Sequence, residues 1–194
     1  MFDFQTMLNG SMAVIRQPSV STFEEYEKND LQAATIYIAI AAAINGVLAA
    51  LSATIQRTPG VSLIGALIGA VLASLIGFYI YMGFVYLLGR AFGGTGNFGE
   101  LAYDISLFSA PLSVVGSLLN LIPFLGPIAA FVLGLYQLYL TYLGIQSGLN
   151  LPKNKALLVM VIMFVILIAI VACIAVFFAA IIAALMNGGS QSGS

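Results

Sequence analysis

The side chains best suited to chemistry in this sequence are carboxylates, because the chain contains no histidine and a single cysteine. Histidine is the usual general base and the commonest metal ligand, so its absence removes both roles. Glu100 and Asp104 are four residues apart, which places them on one face of a helix. Three further acidic residues, Glu24, Glu25 and Glu27, precede the first long apolar run. If all five lie on one side of a membrane, they could bind a divalent cation, because hard cations prefer carboxylate oxygens.

A purely structural role explains the same residues more simply. Asn97, followed three residues later by Glu100, fits a capping box at the start of a helix. Asp104 would then form an ion pair with a basic residue on its side of the membrane. The candidates are Arg90, Lys153 and Lys155. We favour this internal ion pair over a metal site. No metal ligand, no cofactor and no catalytic residue is predicted.

Four serines form the other polar feature of the apolar part of the chain. Ser106, Ser109, Ser113 and Ser117 recur at spacings of three or four residues, which places them in a stripe on one side of a helix. Such a stripe could line a pore. Close packing of helices explains it more simply, because small side chains let helix backbones approach each other.

The segment Gly94-Thr-Gly-Asn-Phe-Gly99 matches the dinucleotide-binding pattern G-x-G-x-x-G. That mechanism needs a strand before the glycines and a βαβ unit around them. A long apolar run precedes them here, so the segment is interpreted as a flexible loop. Nucleic-acid binding is not expected either, because a net charge of −1 offers no basic surface for phosphates.

Five long apolar runs must position these residues. Hydrophobic residues make up 61% of the chain and charged residues 7%, whereas soluble domains carry about 25% charged residues. Lipid must therefore cover most of the surface, and a run of about 20 apolar residues crosses the hydrocarbon core. Backbone groups in lipid must be satisfied within the chain, so the runs are predicted to be helices. The runs are residues 31–55, 61–88, 101–122, 127–148 and 156–186.

The predicted fold is an all-α integral membrane protein, a five-transmembrane-helix bundle in a single domain over residues 1–186. One alternative stays open, because the connection at residues 120–127 carries no charge. The third and fourth runs could cross the bilayer fully or form a re-entrant hairpin, and the charges do not separate the two. Residues 187–194, rich in Gly and Ser, are predicted to be a flexible tail.

Residues 1–17 are predicted to form an amphipathic helix in the membrane interface. Turned at about 100° per residue, most of their apolar side chains gather on one side. These are Met1, Phe4, Met7, Leu8, Met12, Val14 and Ile15. Ser11 interrupts this apolar face. The segment has no continuous apolar h-region, so it is not interpreted as a signal peptide. Pro18 ends the helix, and residues 19–30 are the most polar stretch of the chain.

The basic residues predict the orientation, since cytoplasmic loops of membrane proteins carry an excess of Lys and Arg. With the amino terminus in the cytoplasm, Arg57 is the one basic residue on the outer side. The inner side then holds Arg16, Lys28, Arg90, Lys153 and Lys155. We therefore predict a cytoplasmic amino terminus and an outer carboxyl terminus.

The order of these features resembles a known family. The amphipathic segment leads through Pro18 and Thr22-Phe23 to the first run, and a series of short segments follows. They are F-G-G-T-G-N-F-G-E (92–100), L-A-Y-D-I-S-L-F-S-A-P (101–111), I-P-F-L-G (122–126), Y-Q-L-Y-L-T-Y-L-G (136–144) and L-P-K-N-K-A (151–156). The pattern resembles the Yip family, the Ypt/Rab GTPase-interacting membrane proteins, in its shorter prokaryotic form.

The resemblance implies five membrane helices, a cytoplasmic amino terminus and a location in a prokaryotic cell membrane. A GTPase partner is implied by the resemblance alone. The predicted function is non-enzymatic: the protein organises membranes or recruits partners at the cytoplasmic face. The alternative is a passive channel or transporter for a small ion or solute. The lipid bilayer is one expected partner, and pairs of small residues such as Gly65 and Gly69 fit self-association or contact with other membrane proteins.

The orientation can be tested by cysteine accessibility in intact cells, with the native Cys173 replaced by serine. Thr95→Cys and Asn154→Cys should react with a membrane-impermeant thiol reagent only after the cytoplasmic face is opened. Ser190→Cys should react from outside. Labelling of Thr95→Cys from outside in intact cells would show that the orientation is reversed.

Overall fold

Seven α-helices make up the computed structural model, which describes residues 2–55, 63–122 and 125–188 and contains no strand in these ranges. Five of the helices are long and apolar enough to cross a membrane. This confirms the predicted all-α fold with five apolar spans. The helices are α1 (Phe4–Arg16), α2 (Val20–Tyr26), α3 (Leu31–Ile55), α4 (Leu63–Ala91), α5 (Phe98–Leu119), α6 (Leu125–Gly148) and α7 (Lys153–Gly188).

Both helices of the uncharged hairpin, α5 and α6, are long enough for a full crossing. At about 1.5 Å per residue, the 22 residues of α5 extend about 33 Å. The hydrocarbon core is about 30 Å thick. Helix lengths therefore favour two crossings over a re-entrant hairpin. Residues 123–124 of the connection, Met1 and the end of the predicted tail from residue 189 lie outside the described residues.

The most polar stretch of the chain, residues 19–30, contains a short helix, α2, which the apolar pattern of the sequence does not predict. Ser19 precedes it with an extended backbone, and its hydroxyl accepts a hydrogen bond of 3.1 Å from the backbone N–H of Thr22. Serine is among the preferred residues for this position. At the start of α3, Asp30 performs the same task and accepts from the N–H of Ala33 at 2.8 Å.

The centre of the bundle lies between α3, α5 and α6. Helix α3 packs against α4 and α5, and α5 packs against α6. Leu101, Leu107, Phe108, Leu140 and Ile145 are among its fully buried side chains. Helices α4 and α7 are peripheral. Only 6% of the most apolar part of α7 is buried within the protein, so lipid must cover most of its surface.

Polar side chains within the bundle form hydrogen bonds between helices. The amide of Asn45 on α3 donates to the Ser113 hydroxyl on α5 at 3.0 Å, and that hydroxyl donates to the Ala110 carbonyl. The Thr35 and Tyr79 hydroxyls join α3 to α4. Such bonds satisfy polar groups that lipid cannot solvate.

The glycine-rich segment after α4 is held in place, which differs from the flexible loop expected. The N–H groups of Thr95 and Gly96 donate to the Leu149 carbonyl at 3.0 and 3.4 Å. Gly93 has φ +90°, a conformation that glycine adopts without strain. A side chain on Gly94 would lie 2.9 Å from the Gly89 carbonyl oxygen. The glycines therefore serve backbone packing.

Gly148, at the end of α6, allows the closest backbone contact between α5 and α6. A Cβ atom at this position would lie 2.7 Å from the Cα of Leu101, closer than real Cβ atoms approach. Gly148→Ala should therefore lower the free energy of unfolding by about 1–3 kcal/mol, the usual cost of overpacking.

Gly134→Ala is the matched control, because nothing lies within 4 Å of the added methyl group. Alanine favours helix more than glycine does, so this variant should gain up to about 1 kcal/mol. Circular-dichroism melting in detergent micelles compares the two. Equal effects of both substitutions would contradict the assigned contact.

Candidate functional site

Helix α1 packs on the bundle with one buried face. Met7 and Val14 are fully buried there. The Ser11 hydroxyl lies 2.9 Å from the Tyr37 hydroxyl of α3, and the Tyr136 hydroxyl of α6 donates to the Ile15 carbonyl. Ser11, which interrupts the apolar pattern of the sequence, thus uses its hydroxyl in an interhelical contact.

A second apolar row on α1 faces away from the protein. Phe4, Leu8 and Met12 are 47%, 41% and 41% exposed. We expected one apolar face directed at the membrane. The structure divides it, because Met7 and Val14 pack against the protein while the neighbouring row stays open. The open row borders a shallow apolar groove of about 260 Å³ between α3 and α5.

Helix α2 is anchored by a single aromatic side chain. Phe23 is fully buried and packs edge-on against Phe108 of α5, with ring centroids 6.1 Å apart. Gly144 of α6 lies beside its ring. The next two residues, Glu24 and Glu25, are exposed. Helix α2 therefore has one apolar anchor and one acidic outer face. We call α1, α2 and the connection to Asp30 the cap (residues 3–30).

The acidic residues singled out in the sequence lie at several depths around the cap–bundle interface. Glu24 and Glu25 are exposed, and Glu27 is half-buried with one oxygen that has no hydrogen-bond partner. Glu100 accepts from the Asn97 N–H at 2.8 Å and completes the predicted capping box. Asp104 is completely buried, and neither of its carboxylate oxygens has a hydrogen-bond partner.

The expected ion pair of Asp104 with Arg90, Lys153 or Lys155 is wrong. The charged groups that act on Asp104 are Glu27, Glu100 and Glu24, and no basic side chain is among them. The Arg90 guanidinium instead lies over the Tyr86 ring, 5.9 Å from its centroid.

The same region is not a ready-made metal site. Among residues 2–55, 63–122 and 125–188, no three Asp, Glu or Cys side chains converge closely enough to hold a metal ion.

The carboxyl group of Glu27 is affected by the charges of its acidic neighbours. Burial raises the pKa of its carboxyl group above the ordinary value, and the negative charges of Glu100 and Glu24 raise it further.

The serine stripe contributes to helix packing. The Ser106 hydroxyl donates to the Tyr103 carbonyl at 2.7 Å, and Ser113 bonds to Asn45. Ser109 has a buried hydroxyl without a partner, and Ser117 is half-buried. Hydroxyls that bond to backbone and to a neighbouring helix are typical of packed membrane helices.

Sequence reasoning assigned no structural role to two residues of this region, Phe23 and Ser147. Phe23 follows Val20 by three residues, a weak helical signal within a polar stretch. Ser147 on α6 has a buried hydroxyl beside Asp104 on α5. Asp104 and Ser147 are more than 40 positions apart in the sequence, and the packing of α5 on α6 brings them together.

A comparison with protein families finds a match. A family model described as "Yip1 domain" matches residues 12–176, from within α1 to within α7. No curated protein and no solved structure matches the chain.

The raised pKa of Glu27 predicts how stability depends on pH. Its folded state holds the proton more tightly than the unfolded chain does, so its contribution is favourable in acid and is lost as pH rises above the ordinary glutamate pKa. Glu27→Gln should therefore leave the melting temperature unchanged in acid and raise it slightly, by about 1 °C, at neutral pH.

Glu25→Gln removes the same charge from an exposed position and should shift the melting temperature less at every pH. The measurement is the difference between each variant and the parent across a pH series. A loss of stability in Glu27→Gln at neutral pH would contradict the assignment, because it would mean that the ionised carboxylate is stabilising.

Proposed function

The chain belongs to the Yip1 family of membrane proteins, and from this premise we propose that it acts without catalysis, organising the membrane and recruiting partners through its cap. We place the cap in the cytoplasm and the chain in a prokaryotic cell membrane, as the basic residues and the family suggest. The family is one of membrane proteins, and five apolar helices require a bilayer.

The observation that carries the proposal is the open apolar row on α1. Phe4, Leu8 and Met12 stay exposed although Met7 and Val14, on the adjacent face, are buried. A helix that is buried on one side and apolar on the next fits the boundary between protein, headgroups and acyl chains. Anchoring by Tyr136 and Tyr37 holds this row at the edge of the bundle. Helix α1 would therefore wedge into one leaflet while remaining part of the protein.

The outer face of α2 supplies the surface for partners. Phe23 fixes the helix against α5 and α6, and Glu24 and Glu25 face outwards. A partner with a basic surface fits this face electrostatically. A GTPase is the class suggested by family membership.

The alternative, a passive channel or transporter, rests on the serine stripe. Ser106 and Ser113 use their hydroxyls within the helices and in a bond to Asn45. This observation supports packing, and we do not carry the alternative further.

Leu8→Asp tests the position of α1. A nitroxide at Met12→Cys, in a Cys173→Ser background, should collide with oxygen dissolved in the bilayer more than with a water-soluble nickel complex. Leu8→Asp should reduce oxygen accessibility, because it places a charge in the open row. Asn9→Asp adds the same charge on an exposed polar position and should have little effect. A label that collides only with the nickel reagent in the unmodified protein would disprove the interfacial placement.

The function itself is tested in proteoliposomes of a fixed lipid mixture. We expect the parent to give smaller vesicles than protein-free controls in electron cryomicroscopy, and Leu8→Asp to lose this effect while its circular dichroism is unchanged. Equal vesicle diameters for parent, variant and lipid alone would overturn the membrane-organising role. Rapid flux of a small ion through the parent, retained in Leu8→Asp, would support the channel instead.

A further inference from the structure

A buried carboxyl group at the interface of the cap and the bundle has no basic partner within the described residues. Asp104 lies in the second turn of α5 and has no exposed surface. Both of its oxygens lack a hydrogen bond. Isolated charge is unfavourable in such surroundings, so the group must hold a cation or a proton.

Every charged group that acts on Asp104 is negative. Glu100 comes from α5 itself, Glu24 from α2, and Glu27 from the segment between α2 and α3. Helix α6 contributes the Ser147 hydroxyl, which is buried, and the backbone at Gly148, where a Cβ would lie 3.4 Å from Oδ2 of Asp104. No lysine or arginine is among the groups acting on Asp104.

A metal ion would need more ligands than these residues bring together. Within the described part of the chain, no set of three carboxylate or thiol side chains is close enough to coordinate one. A proton requires only one acceptor oxygen and a neighbour to receive its hydrogen bond. The buried Ser147 hydroxyl lies beside Asp104 and can accept this hydrogen bond.

We propose that Asp104 is a proton-binding site whose occupancy controls the docking of α2 on the bundle. With the proton bound, Asp104 is neutral and α2 stays docked through Phe23. When the proton leaves, the carboxylate repels Glu27 and Glu24 and needs water. Both demands are met when α2 moves away from the bundle, because this movement takes Glu24 and Glu27 away from Asp104 and admits water. The docking of the cap therefore depends on pH.

The experiment measures cap docking directly in the full chain. Spin labels at Ser21→Cys on α2 and Asn154→Cys at the start of α7, both at exposed positions, are placed in a Cys173→Ser background in nanodiscs. Double electron–electron resonance then gives the distance between them from mildly acidic to mildly alkaline buffer. In the parent, we expect a single narrow distribution in acid and a broader, longer one in alkali.

Asp104→Asn keeps the shape of the neutral acid and removes its titration. This variant should retain the narrow distribution at every pH. Glu27→Gln removes one repelling charge and should weaken the pH response, and it serves as the second variant if Asp104→Asn does not fold. Glu25→Gln, exposed on α2, should respond as the parent does.

Three results would overturn the proposal. The first is a distribution that does not change with pH in the parent. The second is an Asp104→Asn variant that is undocked in acid, which would mean that docking needs the ionised group. The third is restoration of the narrow distribution in alkali by sodium, magnesium or calcium in the parent but not in Asp104→Asn, which would make a metal ion the ligand.

Discussion

The contact between the end of α6 and the beginning of α5 determines the arrangement of everything on this side of the bundle. Gly148 lets the two backbones meet at Leu101, closer than any side chain would allow. The carbonyl of the next residue, Leu149, then receives the N–H groups of Thr95 and Gly96. One contact thus joins α5, α6 and the loop after α4. Because lipid cannot hydrogen-bond to exposed backbone, such a junction is stable only when its groups satisfy one another.

The same contact creates the place where the cap docks. Gly144, one turn before Gly148, lies beside the Phe23 and Phe108 rings, which pack edge-on. Asp104, in the second turn of α5, lies beside Gly148. The anchor of α2 and the buried carboxyl group therefore lie at neighbouring turns of the same α5–α6 contact. A cap held by apolar contacts above a cluster of carboxylates combines attraction and repulsion in a small volume, and the balance between them depends on protonation.

The membrane helices could be predicted from the sequence. The short helix α2 and the contacts that individual side chains make between helices could not. Long apolar runs leave few alternatives in lipid, so α3 to α7 follow from hydropathy alone, and the capping box at Asn97 and Glu100 follows from spacing. Helix α2 is too short, at seven residues, and too polar to stand out. The partner of Asp104 was predicted wrongly because charge counting shows which side a residue is on but not how far Lys153 or Lys155 can reach. Likewise, the division of the α1 apolar face depends on where α5 lies, which no periodicity within residues 1–17 records.

The length of α7 bears on how the helix is inclined in a membrane. Its 36 residues extend about 54 Å at 1.5 Å per residue, against a hydrocarbon core of about 30 Å. Tilts of transmembrane helices reach about 40°, and at that tilt the apolar span Lys153–Ala179, about 40 Å long, fits the core. Helix α7 contacts its neighbours sparsely and can therefore adjust its inclination independently of α3, α5 and α6. Because a thicker bilayer requires less tilt, the inclination of α7 should follow the thickness of the surrounding membrane.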